Sequence, residues 1–180
     1  YNIVIKAKDA DGNEIGGIRL PDVAVPLGTA TGWALRSAEF GERLGNLSTR
    51  AQVGTGANVM ISGFVVSDGA PKRILIRAIG PALTPFAVAG ALGDPVLTLH
   101  DASGVQLDSN NDWSAAAAAT MTGVGAFTLP PGSRDAALVV TLAPGAYTAQ
   151  VSGAGGAAGV ALLEIYDVSG PARLLNLSTR

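Results

Sequence analysis

Apolar and polar residues alternate along most of this chain, and the alternation predicts short β-strands rather than helices. Turn-forming Asp, Gly, Pro and Ser separate the alternating runs, which recur at intervals of about ten residues. From residue 44 onward, the predicted strands cover residues 58–66, 73–79, 96–101, 105–108, 136–142, 146–151 and 159–167. This spacing is typical of an all-β domain, and we expect an antiparallel, jelly-roll-like β-sandwich.

An extended arm precedes the predicted sandwich. Residues 1–8 and 15–20 alternate on either side of an Asp-Gly-Asn turn, which predicts a β-hairpin. Prolines then interrupt the pattern, and residues 29–41 fit either a loop or a short helical turn. We therefore expect residues 1–42 to form an N-terminal arm or hairpin without a core of its own, and residues 43–180 to form the sandwich module.

One segment within the sandwich favours a helix. Residues 113–121 contain a run of alanines, the residue with the highest helix propensity, and Ser114 is suited to cap the N-terminus. We expect one short helix there, crossing one end of the sandwich.

A segment of eight residues occurs twice. Arg-Leu-Gly-Asn-Leu-Ser-Thr-Arg at residues 43–50 returns as Arg-Leu-Leu-Asn-Leu-Ser-Thr-Arg at residues 173–180, and the copies differ only at Gly45 and Leu175. About one domain length separates them, which is typical of tandem or head-to-tail assemblies. We call these segments the first copy and the second copy, and we expect them to mark junctions between modules.

Composition and charge exclude several classes of protein. The chain has 180 residues, of which 14% are charged, and its net charge of −2 with scattered basic residues argues against a nucleic-acid partner. It has no cysteine, so disulfides and thiolate metal sites are excluded. No apolar run is long enough to span a membrane, and the first residues lack the pattern of a signal peptide. We expect no membrane insertion.

Acidic and amide side chains around one predicted hairpin are candidate calcium ligands. Calcium prefers six to eight oxygen ligands, which carboxylates and amides supply. Local turn hydrogen bonds are the commoner explanation of the same residues, because Asn and Asp are favoured in turns. A similar group at Asp9, Asp11, Asn13 and Glu14 fits a hairpin turn better than an EF-hand. The candidate ligands are Asp101, Asp108, Asn110 and Asp112.

Other candidate sites have ordinary structural explanations. His100 is the sole histidine and lies in an alternating strand without a positioned nucleophile, so we expect a surface histidine and no catalytic residue. Trp33 and Trp113 are suited to stack on sugar rings, but tryptophan more commonly packs in a core. Asn46 and Asn176 begin formal N-glycosylation sequons, which we interpret as repeated strand residues.

Most of the sandwich region resembles modules of exported bacterial proteins. Residues 96–113, with the later stretch 142–153, resemble the bacterial pre-peptidase C-terminal type of β-sandwich, an accessory module of secreted enzymes and surface proteins. Residues 46–180 as a whole resemble a repeat module of large exported bacterial proteins, in which Asn-Leu-Ser-Thr-Arg and Val-Gly-Thr-Gly mark the junctions. The resemblance implies a bacterial, extracellular or cell-surface protein.

The arm resembles a different family. Residues 9–36 look like a segment from a family of α/β-hydrolase-domain proteins. No Gly-x-Ser-x-Gly nucleophile elbow occurs in the chain, so no catalytic residue of that family is carried over.

Our leading hypothesis is a non-enzymatic extracellular structural module that joins copies of itself head to tail. It would be a filament subunit or a tandem surface repeat, joined by β-strand donation from residues 2–7 and 15–25. An accessory module that binds carbohydrate or a cell surface is the alternative, and a fragment of an α/β-hydrolase ranks third. The residues expected at the assembly contact are Ile3, Val4, Ile5, Ile15, Ile18, Leu20, Leu174, Leu175 and Leu177.

Overall fold

Two antiparallel sheets face each other in this computed structural model, which describes residues 3–8, 14–20, 43–67, 69–169 and 172–179. For the first two ranges and for Arg43, Asn176 and Leu177, only the backbone is described. The strands are β1 (Ile3–Lys8), β2 (Glu14–Leu20), β3 (Arg43–Val53), β4 (Met60–Val66), β5 (Lys72–Ile79), β6 (Pro95–Asp101), β7 (Gln106–Asn110), β8 (Ala136–Leu142), β9 (Gly145–Gly153), β10 (Gly159–Ser169) and β11 (Leu174–Thr179).

The six-stranded sheet has the order β2-β1-β3-β10-β5-β8, and the five-stranded sheet has the order β11-β4-β9-β6-β7. Short connections from β3 to β4, from β4 to β5, from β8 to β9 and from β9 to β10 each pass from one sheet to the other and reverse the direction of the chain. The β1–β2 hairpin extends the six-stranded sheet beyond β3.

The main core lies between the two sheets. β4 alternates buried and partly buried residues and places Met60, Phe64 and Val66 inward. β5 is buried along almost its whole length, because both of its faces are covered. Alternate residues of β5, such as Ile74 and Ile76, join the main core, while Leu75 and Ile79 point to the opposite face.

A second apolar layer covers that opposite face of the six-stranded sheet. It comes from the segment between β5 and β8, which contains 3₁₀ helices at Pro81–Phe86 and Ala115–Ala117, and α1 (Ala118–Gly123). Met121 and Leu129 of this cover pack with Leu75, Ile79 and Tyr166. Further 3₁₀ turns lie at Gly56–Asn58 and Ala154–Gly156.

The predicted antiparallel β-sandwich with one short helix and an N-terminal β arm is confirmed, and the bounds of the predicted strands agree within a few residues. The placement of the helix was wrong, because α1 lies over a sheet face and does not cross an end. Ser114 makes no side-chain cap, and α1 begins only at Ala118. The apolar side chains beneath explain this position, since Met121 needs the surface around Leu75 for burial. Residues 29–41 lie outside the described residues.

Candidate functional site

The two copies of the repeated segment lie against each other on the side of the sandwich that the arm extends. The first copy begins β3 in the six-stranded sheet. The second copy forms β11 in the five-stranded sheet, and β11 contacts β3 across the sandwich. Leu44 and Leu174, which occupy the same position in the two copies, both pack against the main core. The repeated sequence therefore makes the same core contact from two facing sheets.

Both copies also contain an irregularity in strand pairing. Along β1, consecutive residues pair with Leu44 and Asn46 and pass over Gly45. Along β4, Val65 pairs with Leu175 and Gly63 pairs with Ser178, so two residues of β11 stand opposite the single residue Phe64. Such β-bulges shift which side chains face inward, and this shift explains how Leu44 and Leu47 both reach the core although three positions separate them.

The two copies differ in how many of their backbone edges are paired. β3 is bonded to β1 on one edge and to β10 on the other. Within the described residues, β11 ends its sheet and pairs with β4 alone. We call its other side the open edge of β11. An exposed strand edge carries unpaired N–H and C=O groups and is a template for a further strand.

The open edge of β11 corresponds to the edge of β3 that β10 occupies. β3 and β11 run in the same direction, because the connection after β3 reverses the chain and β11 is antiparallel to β4. Their core sides face each other across the sandwich. Rotating β11 by 180° about its own strand axis superimposes its core side on the core side of β3. The same rotation exchanges the positions of the two edges of β11. The β4 edge then matches the β1 edge of β3, and the open edge matches the β10 edge.

A serine of the first copy contacts a buried ion pair. Ser48, Glu164 and Arg77 lie side by side across β3, β10 and β5. The Ser48 hydroxyl donates a hydrogen bond to Glu164 Oε1 at 3.3 Å. Arg77, which has no exposed surface, donates from Nε to Glu164 Oε2 at 3.0 Å and also through Nη2. The two buried charges thus compensate each other.

The cover over the six-stranded sheet completes this polar cluster. Arg77 Nη1 donates to the Phe127 carbonyl at 2.6 Å, and its guanidinium lies 4.5 Å from the centre of the Phe127 ring. The Tyr166 hydroxyl donates to Glu164 Oε1 at 3.0 Å. Burial, with the nearby Glu164 carboxylate, raises the pKa of Tyr166 far above its ordinary value, so Tyr166 stays a neutral donor.

The equivalent serine of the second copy has different surroundings. Buried Ser62 donates from Oγ to the Ser178 carbonyl at 3.1 Å, so the contact reaches the backbone of Ser178. Ser178 lies opposite Gly63, and a Cβ at that glycine would lie 3.0 Å from Ser178 Oγ. The equivalent serines of the two copies therefore occupy two chemically distinct positions.

The predicted calcium ligands form hydrogen bonds mainly with residues close to them in the sequence. Asp101 Oδ1 accepts from the Ser103 hydroxyl at 2.7 Å and from two backbone amides, and these bonds, led by that of Ser103, lower the pKa of Asp101. Asp108 Oδ1 accepts from the adjacent backbone N–H of Ser109, and Asn110 Nδ2 donates to the Asp112 carbonyl. Among the described residues, no three His, Cys, Asp or Glu side chains are placed to hold a metal. Calcium binding stays a prediction.

His100 lines a cleft of about 460 Å³ at the end of β6 and β9. Its Nδ1 is buried and has no hydrogen-bond partner among the described residues. The other residues that line this cleft are Asp101, Ala102, Gly104, Ala146, Tyr147, Thr148 and Gln150. Burial, with the charge of Asp101, raises the pKa of Tyr147. The cleft thus combines apolar surface with a few hydrogen-bonding groups, one of which is the Asp101 carboxylate.

Trp113 lies away from this cleft and anchors the cover. Its Nε1 donates to Ser133 Oγ at 3.1 Å and to the Pro130 carbonyl at 3.2 Å. Ser133 in turn donates to buried Asp135, which accepts from the Gly80 amide. The structure therefore gives Trp113 a packing role, and sugar stacking stays a prediction. Trp33 lies outside the described residues.

The predicted assembly residues fall into two groups. Leu174 and Leu175 lie in β11, where Leu174 is buried and Leu175 is partly buried. The others lie in β1 and β2 or at position 177, where side chains are outside the described part of the chain. The backbone of β1 pairs with β3 of the same chain, although only with its first residues, Arg43–Asn46. The structure leaves the predicted donation to a neighbour as a prediction.

The fold defines the class of protein as a two-sheet antiparallel β-sandwich module. A protein-family model described as an alpha/beta hydrolase domain matches residues 4–52, which contain all but the first three residues of the arm and nearly all of β3. This match supports the resemblance over residues 9–36. The comparisons give no support to the pre-peptidase C-terminal resemblance of the sandwich. No curated protein matches the chain. No helix in the described residues is long and apolar enough to cross a membrane.

Proposed function

We propose that this protein is a non-enzymatic structural module, extracellular or on a cell surface, that joins copies of itself head to tail. The joining mechanism is β-strand donation at the edge where the first and second copies lie. A contact between two different surfaces need not close, so it produces a filament or a linear array.

One observation carries the proposal: the same sequence is paired on both edges in β3 and, among the described residues, on one edge in β11. The sequence is thus suited to strands on both sides. The short ladder between β1 and β3 supports the proposal further, because β1 meets only Arg43–Asn46 whereas β10 runs along β3 from Asn46 to Val53. An arm held by so short a ladder is more easily exchanged than an internal strand.

Sedimentation velocity over a wide range of concentrations, with electron microscopy of the same samples, tests this function. We expect the chain to form oligomers that grow with concentration. The substitution Leu175→Lys places a charge on β11 and should greatly weaken association. The control Leu107→Lys removes an exposed leucine from β7, at the opposite edge of the same sheet, and should leave association intact. A chain that stays monomeric throughout overturns the proposal.

The cleft around His100 favours a second candidate function, binding of a glycan, whose rings have both apolar faces and hydroxyl groups. A cavity of this size with an unpaired buried nitrogen suits a small ligand. We expect His100→Ala to weaken retention on insoluble polysaccharide. The control Val105→Ala changes an exposed residue near the cleft and should leave retention on the polysaccharide unchanged. Retention unaffected by His100→Ala would remove this candidate, and esterase activity of the purified chain would instead favour the hydrolase fragment.

A further inference from the structure

We propose that the outer face of the five-stranded sheet binds an extended, uncharged polysaccharide, and that the cleft around His100 is one end of this binding surface. The outer face is the side of the sheet that points away from the main core. The inference rests on the second candidate function and deepens it, because it names the class of polymer and the surface that holds the rest of the chain of sugars.

Strand pairing places the residues of the outer face in rows that cross the sheet. β4 and β6 alternate buried core residues with partly buried residues, and the partly buried ones lie on the outer face. One row runs from the cleft to β11, and its members are Gln106, His100, Thr148, Gly63 and Ser178. A Cβ at Gly63 would lie 3.0 Å from Ser178 Oγ, so the Ser178 hydroxyl lies on the outer face as well.

A second row lies beside the first. Ile61, Gln150, Thr98 and Ser109 occupy successive positions across β4, β9, β6 and β7. Gln150 also lines the cleft, whereas Ile61, Thr98 and Ser109 lie outside it. At about 4.8 Å between neighbouring strands, the three steps from β6 to β11 cover about 14 Å, which is longer than one sugar ring. The surface therefore suits a chain of sugars better than a single sugar.

The outer face has no Lys, Arg, Asp or Glu in either row. The same is true of Val65, Val96 and Ser152, which lie toward the ends of this face. A surface that meets only water usually carries charges of both signs. This face instead combines hydroxyl and amide groups with aliphatic side chains. A neutral polysaccharide matches it, because its rings have apolar faces and hydroxyl groups, and because neither partner has to strip water from an ion.

Asp101 favours an uncharged polymer over an anionic one. Its carboxylate lines the cleft at one end of the outer face. The Ser103 hydroxyl and nearby backbone amides hold the pKa of Asp101 below its ordinary value, so this carboxylate is ionised at neutral pH. A negative charge repels an anionic chain but still accepts hydrogen bonds from sugar hydroxyls. We therefore expect binding of a neutral polysaccharide and little binding of a polymer of sugar acids.

The outer face is compatible with the proposed joining of copies. That joining uses the backbone of β11 at its open edge and leaves the outer face uncovered. Joined copies would present several such faces to one polymer, and the second contact would then be intramolecular and favoured by a high effective concentration.

Retention of the intact chain on insoluble polymers tests the inference. The uncharged probes are microcrystalline cellulose, chitin and starch granules, and the anionic probe is carboxymethyl cellulose. We expect retention on at least one uncharged polymer to exceed retention on carboxymethyl cellulose and to persist at high salt, because no ion pair is involved. Stronger retention on carboxymethyl cellulose than on every uncharged polymer, or release by salt, would overturn the inference.

Substitutions outside the cleft test whether the outer face takes part. Thr98→Lys and Ile61→Lys each place a charge on this face, on two different strands. We expect each to decrease retention by about tenfold or more, because the ammonium group has to lose water against the uncharged polymer. The control Thr128→Lys is the same change at an exposed position of the cover, over the other sheet, and should leave retention unchanged. Thermal unfolding checks that each variant is folded, and a variant that fails to fold leaves the test to the other.

The outcomes separate this inference from the functions proposed above. If His100→Ala weakens retention and neither lysine on the outer face does, the inference is wrong and the cleft alone is the site. If no uncharged polymer retains the chain, the inference and the cleft candidate both fail, while sedimentation velocity still decides the joining of copies. If Thr98→Lys abolishes oligomers without any polymer present, the outer face is an interface between copies and the inference is also wrong.

Discussion

The Ser48 hydroxyl donates a hydrogen bond to Glu164 across the β3–β10 pair, at 3.3 Å from Oε1. Ser48 belongs to a sequence that occurs twice, and Glu164 belongs to a buried ion pair that occurs once among the described residues. Ser48 of the first copy makes this contact, whereas Ser178 of the second copy lies beside Ser62 and Gly63. This relationship connects the interior of the sandwich to its edge and to the proposed joining of copies.

Loss of the Glu164 charge should destabilise the fold strongly. Glu164→Gln keeps the side-chain volume but leaves the buried Arg77 guanidinium without a counter-charge, and we expect a loss of about 3–5 kcal/mol in the free energy of unfolding. Urea denaturation measures this loss in the free energy of unfolding. The control Arg134→Gln removes an ion pair in which the arginine side chain is 69% exposed, and it should cost less than about 1 kcal/mol. Similar losses for both variants would contradict the role of the buried pair.

The close approach of Gly80 to the chain near β6 makes a second prediction. A Cβ at Gly80 would lie 2.0 Å from the Leu92 carbonyl oxygen, which cannot move aside as a side chain can. We expect Gly80→Ala to lower the free energy of unfolding by about 1–3 kcal/mol or more. The control Gly93→Ala adds a Cβ with no atom within 4 Å and should change stability by less than about 0.5 kcal/mol. Thermal unfolding measures the stability of both variants, and equal stability of the two would contradict the prediction.

The hairpin between β6 and β7 should titrate at low pH. The Ser103 hydroxyl and nearby backbone amides hold the pKa of Asp101 below its ordinary value. A lowered pKa in the folded state means that the contribution of Asp101 is present above the pKa of an unfolded aspartate and is lost as pH falls through the folded pKa. Ser103→Ala should therefore raise the pKa of Asp101, as measured by carboxyl chemical shifts in NMR. An unchanged pKa would show that this hydroxyl is not the main cause.

The alternation of apolar and polar residues was sufficient to predict the strands, because period-two patterns survive wherever one sheet face meets the core. The helix was placed wrongly because helix propensity gives no information about which surface Met121 covers. The ion pair of Arg77 and Glu164 was missed, although each is the one charge in an otherwise apolar run, residues 74–79 and 159–166, and this is the signal from which it could have been found. Strand order was also beyond the sequence, since it depends on contacts between distant residues.

The candidate site was predictable in part. The repetition of residues 43–50 identified the two strands at the edge, but their different pairing could not be read from identical sequences. Asp101 and Asn110 illustrate the opposite case. Their residue types fit calcium and turns alike, and only the structure shows the hydrogen bonds that each makes within the chain.

Amide hydrogen exchange of the intact chain, compared at low and high concentration, tests the central claim most directly because it reports strand pairing without any substitution. If copies join at the open edge of β11, the amides of residues 174–179 become more protected as concentration rises, while those of β7, at the other edge of the same sheet, do not change. Equal protection of residues 174–179 at both concentrations, or a gain confined to β7, would contradict the account.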